Sequence, residues 1–144
     1  MKTSATCIWQ GKMAFSTELG GHQVATDASV AYGGENGAAS PKSLMMAALA
    51  GCTGVDVVTI LGKMRMPFSG LTIGVEAELT DEVPAVFCSM HLVYSFTGEG
   101  VDADKAKKAV QLSQEKYCGV SFMYRRIMGS EEHTSELQSR ITIS

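Results

Sequence analysis

The sequence predicts an α+β fold, and three observations carry that expectation. The chain opens with period-two alternation, passes through a long run with almost no charge, and returns to period two before a second helical region. The predicted order is an N-terminal antiparallel β-meander, a long buried central helix, a β-hairpin and a second cysteine-bearing helical region. A length of 144 residues, 45% of them hydrophobic and 19% charged, suits a single domain with its own core.

Each element has a local reason. "SATCIWQ" and "KMAFSTEL" alternate as strands joined near Gln10-Gly11, and "HQVATD" follows a Gly20-Gly21 turn to extend the meander. "ASVAYGGENGAAS" reads as a loop. Its glycines Gly33, Gly34 and Gly37 lack the Gly-Lys-Ser/Thr sequel of a phosphate cradle. Ser40-Pro41 then opens a helix, with serine suited to the N-cap and proline to the first helical position. The helix is expected to run from Pro41 to about Met64, about 36 Å at 1.5 Å per residue. Apolar or small residues occupy nearly every side of it, so it is expected to be buried on most faces. A chain of this size has little to cover it with, which points to a dimer whose subunits wrap around each other.

After Met66-Pro67, "LTIGVEAEL" alternates with Ile73, Val75, Ala77 and Leu79 on one face. "AVFCSMHLVYSFTG" is its partner, with Val86, Cys88, Met90, Leu92, Tyr94 and Phe96 in one set and His91 on the other face. Cys88 reads as inert core, and His91 has no companion at metal-ligand spacing. The next helix begins at Asp102 or Asp104, carries Ala106, Ala109, Val110, Leu112 and Ser113 as its stripe, and is expected to break at Lys116-Tyr117. Cys118 then falls in the first turn of a further apolar helix, where free N–H groups and the macrodipole favour a thiolate.

The end of the chain has a different character. "GSEEHTSELQSRITIS" is polar and aperiodic until Ile141 and Ile143, which alternate as a short edge strand would. "SEEHTSELQS" resembles the translation of a common sequencing-library adapter. Residues 1–129 are therefore expected to form one domain, and 130–144 a non-native tail set aside from fold reasoning. His133 belongs to that tail and is given no functional weight.

Net charge is −3, and removing the tail's three acids and one arginine leaves 11 basic against 12 acidic residues, a charge of −1. With no basic stripe, a nucleic-acid partner is not expected. "MKTSATCIWQGK" lacks the apolar stretch of a signal peptide, and Gly51, Gly54, Asp56 and Lys63 interrupt the longest apolar segment. The expectation is a cytoplasmic protein without a membrane span, in which four cysteines are thiols rather than structural disulfides. Neither a Cys-x-x-Cys pair nor a zinc spacing is present, and no metal or cofactor is expected. Two cysteines stand out: Cys52 within the central helix and Cys118 at a helix start. A distant thiol pair suits peroxide chemistry, in which one thiolate becomes a sulfenic acid and the other condenses with it to a disulfide. An external thiol then reduces that disulfide.

"SPKSLMMAALAGCTGVDVVTIL" and "LSQEKYCGVSFM" resemble the two cysteine-bearing helices of the OsmC/Ohr family, the osmotically inducible and organic-hydroperoxide-resistance proteins. The order of elements is similar over roughly residues 4 to 128. The resemblance implies an intertwined α+β homodimer with sites at the subunit interface. It also implies thiol-dependent reduction of hydroperoxides, organic ones preferred, with a lipoyl-type or low-molecular-weight thiol as reductant. By that resemblance Cys52 is the peroxidatic thiol and Cys118 the resolving one, whereas the helix-terminus argument makes Cys118 the more acidic. The chain departs from the active pattern at two places. The loop before the central helix has no arginine, and Lys42 stands where a first-turn glutamate is usual. Asp56, four residues after Cys52 and on its face, would raise a nearby thiol's pKa, and Glu35 is a loop acid with no evident partner. This pattern resembles the less characterised OsmC-like branch. It leaves as alternative a non-enzymatic dimer that responds to redox state or binds a hydrophobic ligand.

Overall fold

The computed structural model describes residues 1–128 and 137–143 of the chain. It is α+β, with two three-stranded sheets and three α-helices among those residues. The chain divides into two compact units, Met1–Ala47 and Ala48–Ser144, with the boundary inside the central helix.

In the first unit, β1 (Ala5–Gly11), β2 (Ala14–Leu19) and β3 (His22–Thr26) form the antiparallel meander in the order β1-β2-β3. The turn after β1 is tight: Gly11 and Lys12 both have positive φ, 102° and 49°. The loop that follows is pinned by one carboxylate. Asp27 accepts from the N–H of Ala28 at 2.7 Å, Gly37 at 3.0 Å and Glu35 at 3.3 Å, which holds its pKa below the usual carboxylate value. Glu35 has a partner after all, an exposed ion pair with Lys12 at 3.0 Å. The expected loop is thus an ordered one, with a single 3₁₀ turn at Val30–Tyr32.

Helix α1 covers Pro41–Lys63, one residue short of the expected end. Ser40 caps it, its Oγ accepting from Ser43 N at 3.3 Å. Its burial differs from the expectation. One stripe is buried, Leu49, Thr53, Val57 and Leu61, at a spacing of four, while Val55 stays 69% exposed and Val58 49%. Val55 and Val58 lie off this stripe, on a face the second unit leaves open. The helix is long and apolar enough to cross a membrane by composition. Its buried stripe, however, is committed to the second unit, where Thr53 hydrogen-bonds Tyr94 of the sheet at 2.7 Å.

In the second unit, β4 (Gly70–Leu79) and β5 (Phe87–Thr97) form an antiparallel hairpin in which Ile73 pairs with Tyr94 and Val75 with Leu92. Met90, Leu92, Tyr94 and Phe96 make the inner face of β5, and Phe68 meets Phe96 edge-on at 6.0 Å. Leu79 and Val86 are exposed, because the pairing slips at Glu78/Leu79 before the turn. Strand β6 (Leu137–Ile143) lies parallel to β5, with Ile141 opposite Tyr94. His133 lies outside the described residues.

Helix α2 covers Ala103–Leu112. Asp102 is its cap, accepting from Asp104 N at 2.8 Å and Lys105 N at 3.1 Å, and Ala106, Ala109 and Val110 are buried as the stripe predicts. The break comes where the sequence places it, as a wide π-type turn over Ser113–Tyr117. Helix α3 follows at Gly119–Met128.

Candidate functional site

Cys118 is not inside the first turn of α3 but is its capping residue. The backbone there is extended, φ −79° and ψ 103°, and its N–H closes the wide turn onto Ser113 O at 2.8 Å. Its carbonyl accepts from Phe122 N at 3.1 Å and its sulfur from Ser121 N at 3.4 Å. A cap side chain that takes the third helical N–H is the usual arrangement for serine or aspartate, and a thiol serves here.

The same corner fixes Cys52. Thr53, the next residue on α1, bonds Ser113 Oγ at 2.7 Å, while Ser113 O holds the Cys118 amide. Ser113 therefore clamps α1 to the start of α3, which places Cys52 and Cys118 at the same corner. The Cys52 thiol and its charge are among the groups that set the proton affinity of Cys118. Burial is the largest influence and pushes the Cys118 thiol up. The Ser121 hydroxyl and N–H pull it down, and Cys52 pushes it up again. Cys118 is 3% exposed, whereas Cys52 is half-buried. Ser121 Oγ is wholly buried and, though it faces the Cys118 sulfur, falls short of a hydrogen bond.

Behind the cysteines lies a buried polar chain that the sequence did not suggest. Thr53 Oγ1 meets Tyr94 Oη at 2.7 Å and Ser113 Oγ at 2.7 Å, and Gln114 Nε2 donates to Tyr94 Oη at 2.8 Å and Thr53 Oγ1 at 3.2 Å. Ser113 Oγ donates to Asp56 Oδ2 at 3.1 Å. Arg125 donates to the Gln114 carbonyl and, at 3.2 Å, to Gln114 Oε1. Proton counting fixes every direction. Arginine only donates, so Gln114 must turn Oε1 to Arg125 and its amide nitrogen to the hydroxyls. The single proton of Ser113 goes to Asp56, so Ser113 accepts from Thr53, and Thr53 accepts from Tyr94. The order is Tyr94 to Thr53 to Ser113 to Asp56. Burial raises the Tyr94 pKa above its ordinary value, and its bonds to Thr53 and Gln114 oppose the rise. The signal in the sequence is slight: a threonine within the apolar run of α1, and a serine and glutamine in the polar stretch SQEKY.

The remaining candidates fall apart from this corner. Cys7 is exposed on β1, and Cys88 is half-buried with its thiol toward Glu78 O at 3.4 Å. His91 stands opposite Glu76 in the hairpin register. Among the described residues no three histidine, cysteine or acidic side chains gather as a metal site.

Residues 34–128 match the family profile described as OsmC-like protein. The chain belongs to that family. Protein YhfA of Escherichia coli strain K12 is 32% identical over 121 residues, covering 82% of this chain and 86% of that protein. Two solved structures share the fold of this OsmC-like chain. One is a hypothetical protein from Aquifex aeolicus VF5, with a TM-score of 0.79, 21% identity and coverage of 100% and 98% of the two chains. The other is an organic hydroperoxide resistance protein from Legionella pneumophila, with a TM-score of 0.65, 17% identity and coverage of 100% and 97%.

Proposed function

We propose that this OsmC-like protein is a thiol-dependent peroxidase that reduces hydroperoxides, organic ones preferred, through Cys52 and Cys118. One observation carries the reading: the Cys52 thiol on α1 lies within interaction range of the Cys118 thiol that caps α3. The difference in their surroundings supports the division of labour. Cys52 is the thiol that solvent reaches, and burial keeps Cys118 protonated. The Cys52 thiolate attacks the terminal peroxide oxygen. The O–O bond breaks, one proton is taken up, and an alcohol leaves Cys52 as a sulfenic acid. The Cys118 thiol displaces water from that sulfenic acid to give the Cys52–Cys118 disulfide. A dithiol of the lipoyl class, or two small thiols, then restores both cysteines through a mixed disulfide. The name of the Legionella relative, an organic hydroperoxide resistance protein, supports the same chemistry.

The working form is a homodimer in this reading. Val55 and Val58 on α1, and Phe122, Met123 and Ile127 on α3, leave apolar surface that a second subunit would cover. The family's loop arginine and first-turn glutamate are absent, so the Cys52 thiolate relies on groups of this fold or of the partner.

The test is oxidation by a stoichiometric organic hydroperoxide, followed by intact mass and peptide mapping, on wild type, Cys52→Ser and Cys118→Ser. The expected result is fast, saturable formation of the Cys52–Cys118 disulfide, with a sulfenic acid trapped on Cys52 in Cys118→Ser. Slow oxidation scattered over Cys7 and Cys88 as well would reject the peroxidase and favour a redox-responsive or ligand-binding dimer.

A further inference from the structure

The corner around Cys118 contains one group that the cycle above does not use. Ser121 is fully buried, its N–H points at the Cys118 sulfur at 3.4 Å, and its hydroxyl has no hydrogen-bond partner although it faces that same sulfur. A buried hydroxyl without a partner is costly, and structures rarely retain one without a reason. A neutral thiol is a weak acceptor, whereas a thiolate is a strong one. The Ser121 hydroxyl is therefore satisfied only when Cys118 carries the charge, and a charge-assisted bond is roughly twice as strong as a neutral one.

We propose that Ser121 is a positioning residue that sets the direction of disulfide reduction: its N–H and hydroxyl hold the Cys118 sulfur as the leaving thiolate, so the reductant attacks the Cys52 sulfur. This rests on the disulfide of the preceding reading and adds which of its sulfurs is attacked. The reductant thiolate forms a bond to Cys52 Sγ, and the Cys52–Cys118 bond breaks with its electron pair on Cys118 Sγ. A mixed disulfide stays on Cys52. A second thiolate then attacks the reductant's sulfur and expels Cys52 as thiolate, and the two protons released by the thiols return to the two cysteines. Access agrees with this choice, because Cys52 is half-buried and Cys118 only 3% exposed. Burial makes the Cys118 thiolate costly and Ser121 reduces that cost. In thiol–disulfide exchange a leaving sulfur departs faster the better its charge is stabilised, so loss of Ser121 slows this step.

The experiment forms the disulfide with diamide, so that no hydroperoxide step is needed. The oxidised protein is treated with the monothiol 2-mercaptoethanol, acid-quenched at short times, and peptide-mapped. The mixed disulfide is expected on Cys52, with Cys118 recovered as a free thiol. Ser121→Ala is expected to slow reduction by about tenfold, the loss of one charge-assisted hydrogen bond, with Ser121→Thr recovering most of the rate. In Cys52→Ser, adding Ser121→Ala is expected to move the pH midpoint of Cys118 alkylation upward, a shift that a packing role would not cause. Reduced Ser121→Ala should melt no lower than wild type, because the removed hydroxyl had no partner, so slow reduction cannot be ascribed to misfolding. A mixed disulfide on Cys118, an unchanged rate and midpoint in Ser121→Ala, or no disulfide with diamide would each overturn the proposal. If diamide gives the disulfide and hydroperoxide does not, the peroxidase reading fails while this inference stands.

Discussion

Replacing Thr53 by valine separates shape from hydrogen bonding at the centre of the buried polar chain. Valine matches threonine in volume and branching, so no cavity opens, and apolar transfer alone would favour the change. The hydroxyl it removes makes three bonds, to Tyr94, Ser113 and Gln114, at a position with no solvent exposure. Gln114 keeps its bond to Tyr94 Oη, and Ser113 keeps its bond to Asp56. Tyr94 is the group left stranded, because its proton goes to Thr53 and no other acceptor replaces it. Losing the net worth of the bond costs about 1 kcal/mol, and orphaning a buried donor a further 1–3 kcal/mol, so about 2–4 kcal/mol is expected. Thr53→Ser keeps the hydroxyl and loses one buried methyl group, which costs about 1 kcal/mol.

The assay is urea unfolding at neutral pH under reducing conditions, comparing midpoints at constant slope. The expected order is wild type, then serine, then valine, the reverse of a hydrophobicity ranking. If Thr53→Val proved as stable as Thr53→Ser, or more so, the directional chain from Tyr94 to Asp56 would be refuted.

Burial raises the Cys118 pKa, so its alkylation in Cys52→Ser should have a pH midpoint above the ordinary thiol value. The folded state holds that proton more tightly than the unfolded one. The associated stability is therefore complete below the unfolded thiol pKa and lost as pH rises towards the folded value, and Cys118→Ala should flatten the alkaline loss. In the first unit, a Cβ on Gly34 would lie 2.0 Å from Ala28 O and 2.8 Å from Asp27 Oδ1. Gly34→Ala should therefore open the Asp27-pinned loop at a cost of about 1–3 kcal/mol, measured by thermal unfolding, and an unchanged midpoint would contradict the loop geometry. Replacing the adapter-like residues from Ser130 onward by a family-type C-terminal strand should raise the melting temperature, and equal midpoints would count against a non-native tail.

The elements were legible in the sequence because their signals are local. Ser40-Pro41 opens α1, Asp102 caps α2, and the alternation from Ile73 to Ala77 forms a strand, each through neighbours a few residues away. The two cysteine contexts were legible for the same reason. What the sequence did not show depends on residues far apart in the chain. Thr53, Tyr94 and Ser113 look like ordinary members of their stripes until the fold brings the Tyr94 and Ser113 hydroxyls each to 2.7 Å from Thr53 Oγ1, and their bonding directions follow only from counting protons around all of them. Glu35 lacked an evident partner because Lys12 reaches it from another strand turn. The composition of α1 reports the apolar surface it carries, not what covers it, and full burial is confined to the Leu49–Leu61 stripe.

Cys118 shows how two correct local arguments can disagree and how magnitude decides between them. The sulfur caps α3 and accepts an amide N–H, as the helix-terminus argument requires. A helix N-terminus stabilises a charge by about 0.3–1 kcal/mol, which is less than one pKa unit. Burial acts against the thiolate and can shift a fully enclosed group by several units, so at 3% exposure the larger effect wins and the pKa rises. The cap then serves a different purpose. A thiol that stays protonated at rest does not compete with Cys52 for peroxide. The same amide, together with the unsatisfied Ser121 hydroxyl, is in place for the moment when the disulfide breaks and Cys118 must carry charge. Burial and Ser121 act on the same thiolate in opposite directions at every step: burial leaves the resting thiol protonated, and Ser121 lowers the cost of the charge that Cys118 must carry when the disulfide breaks.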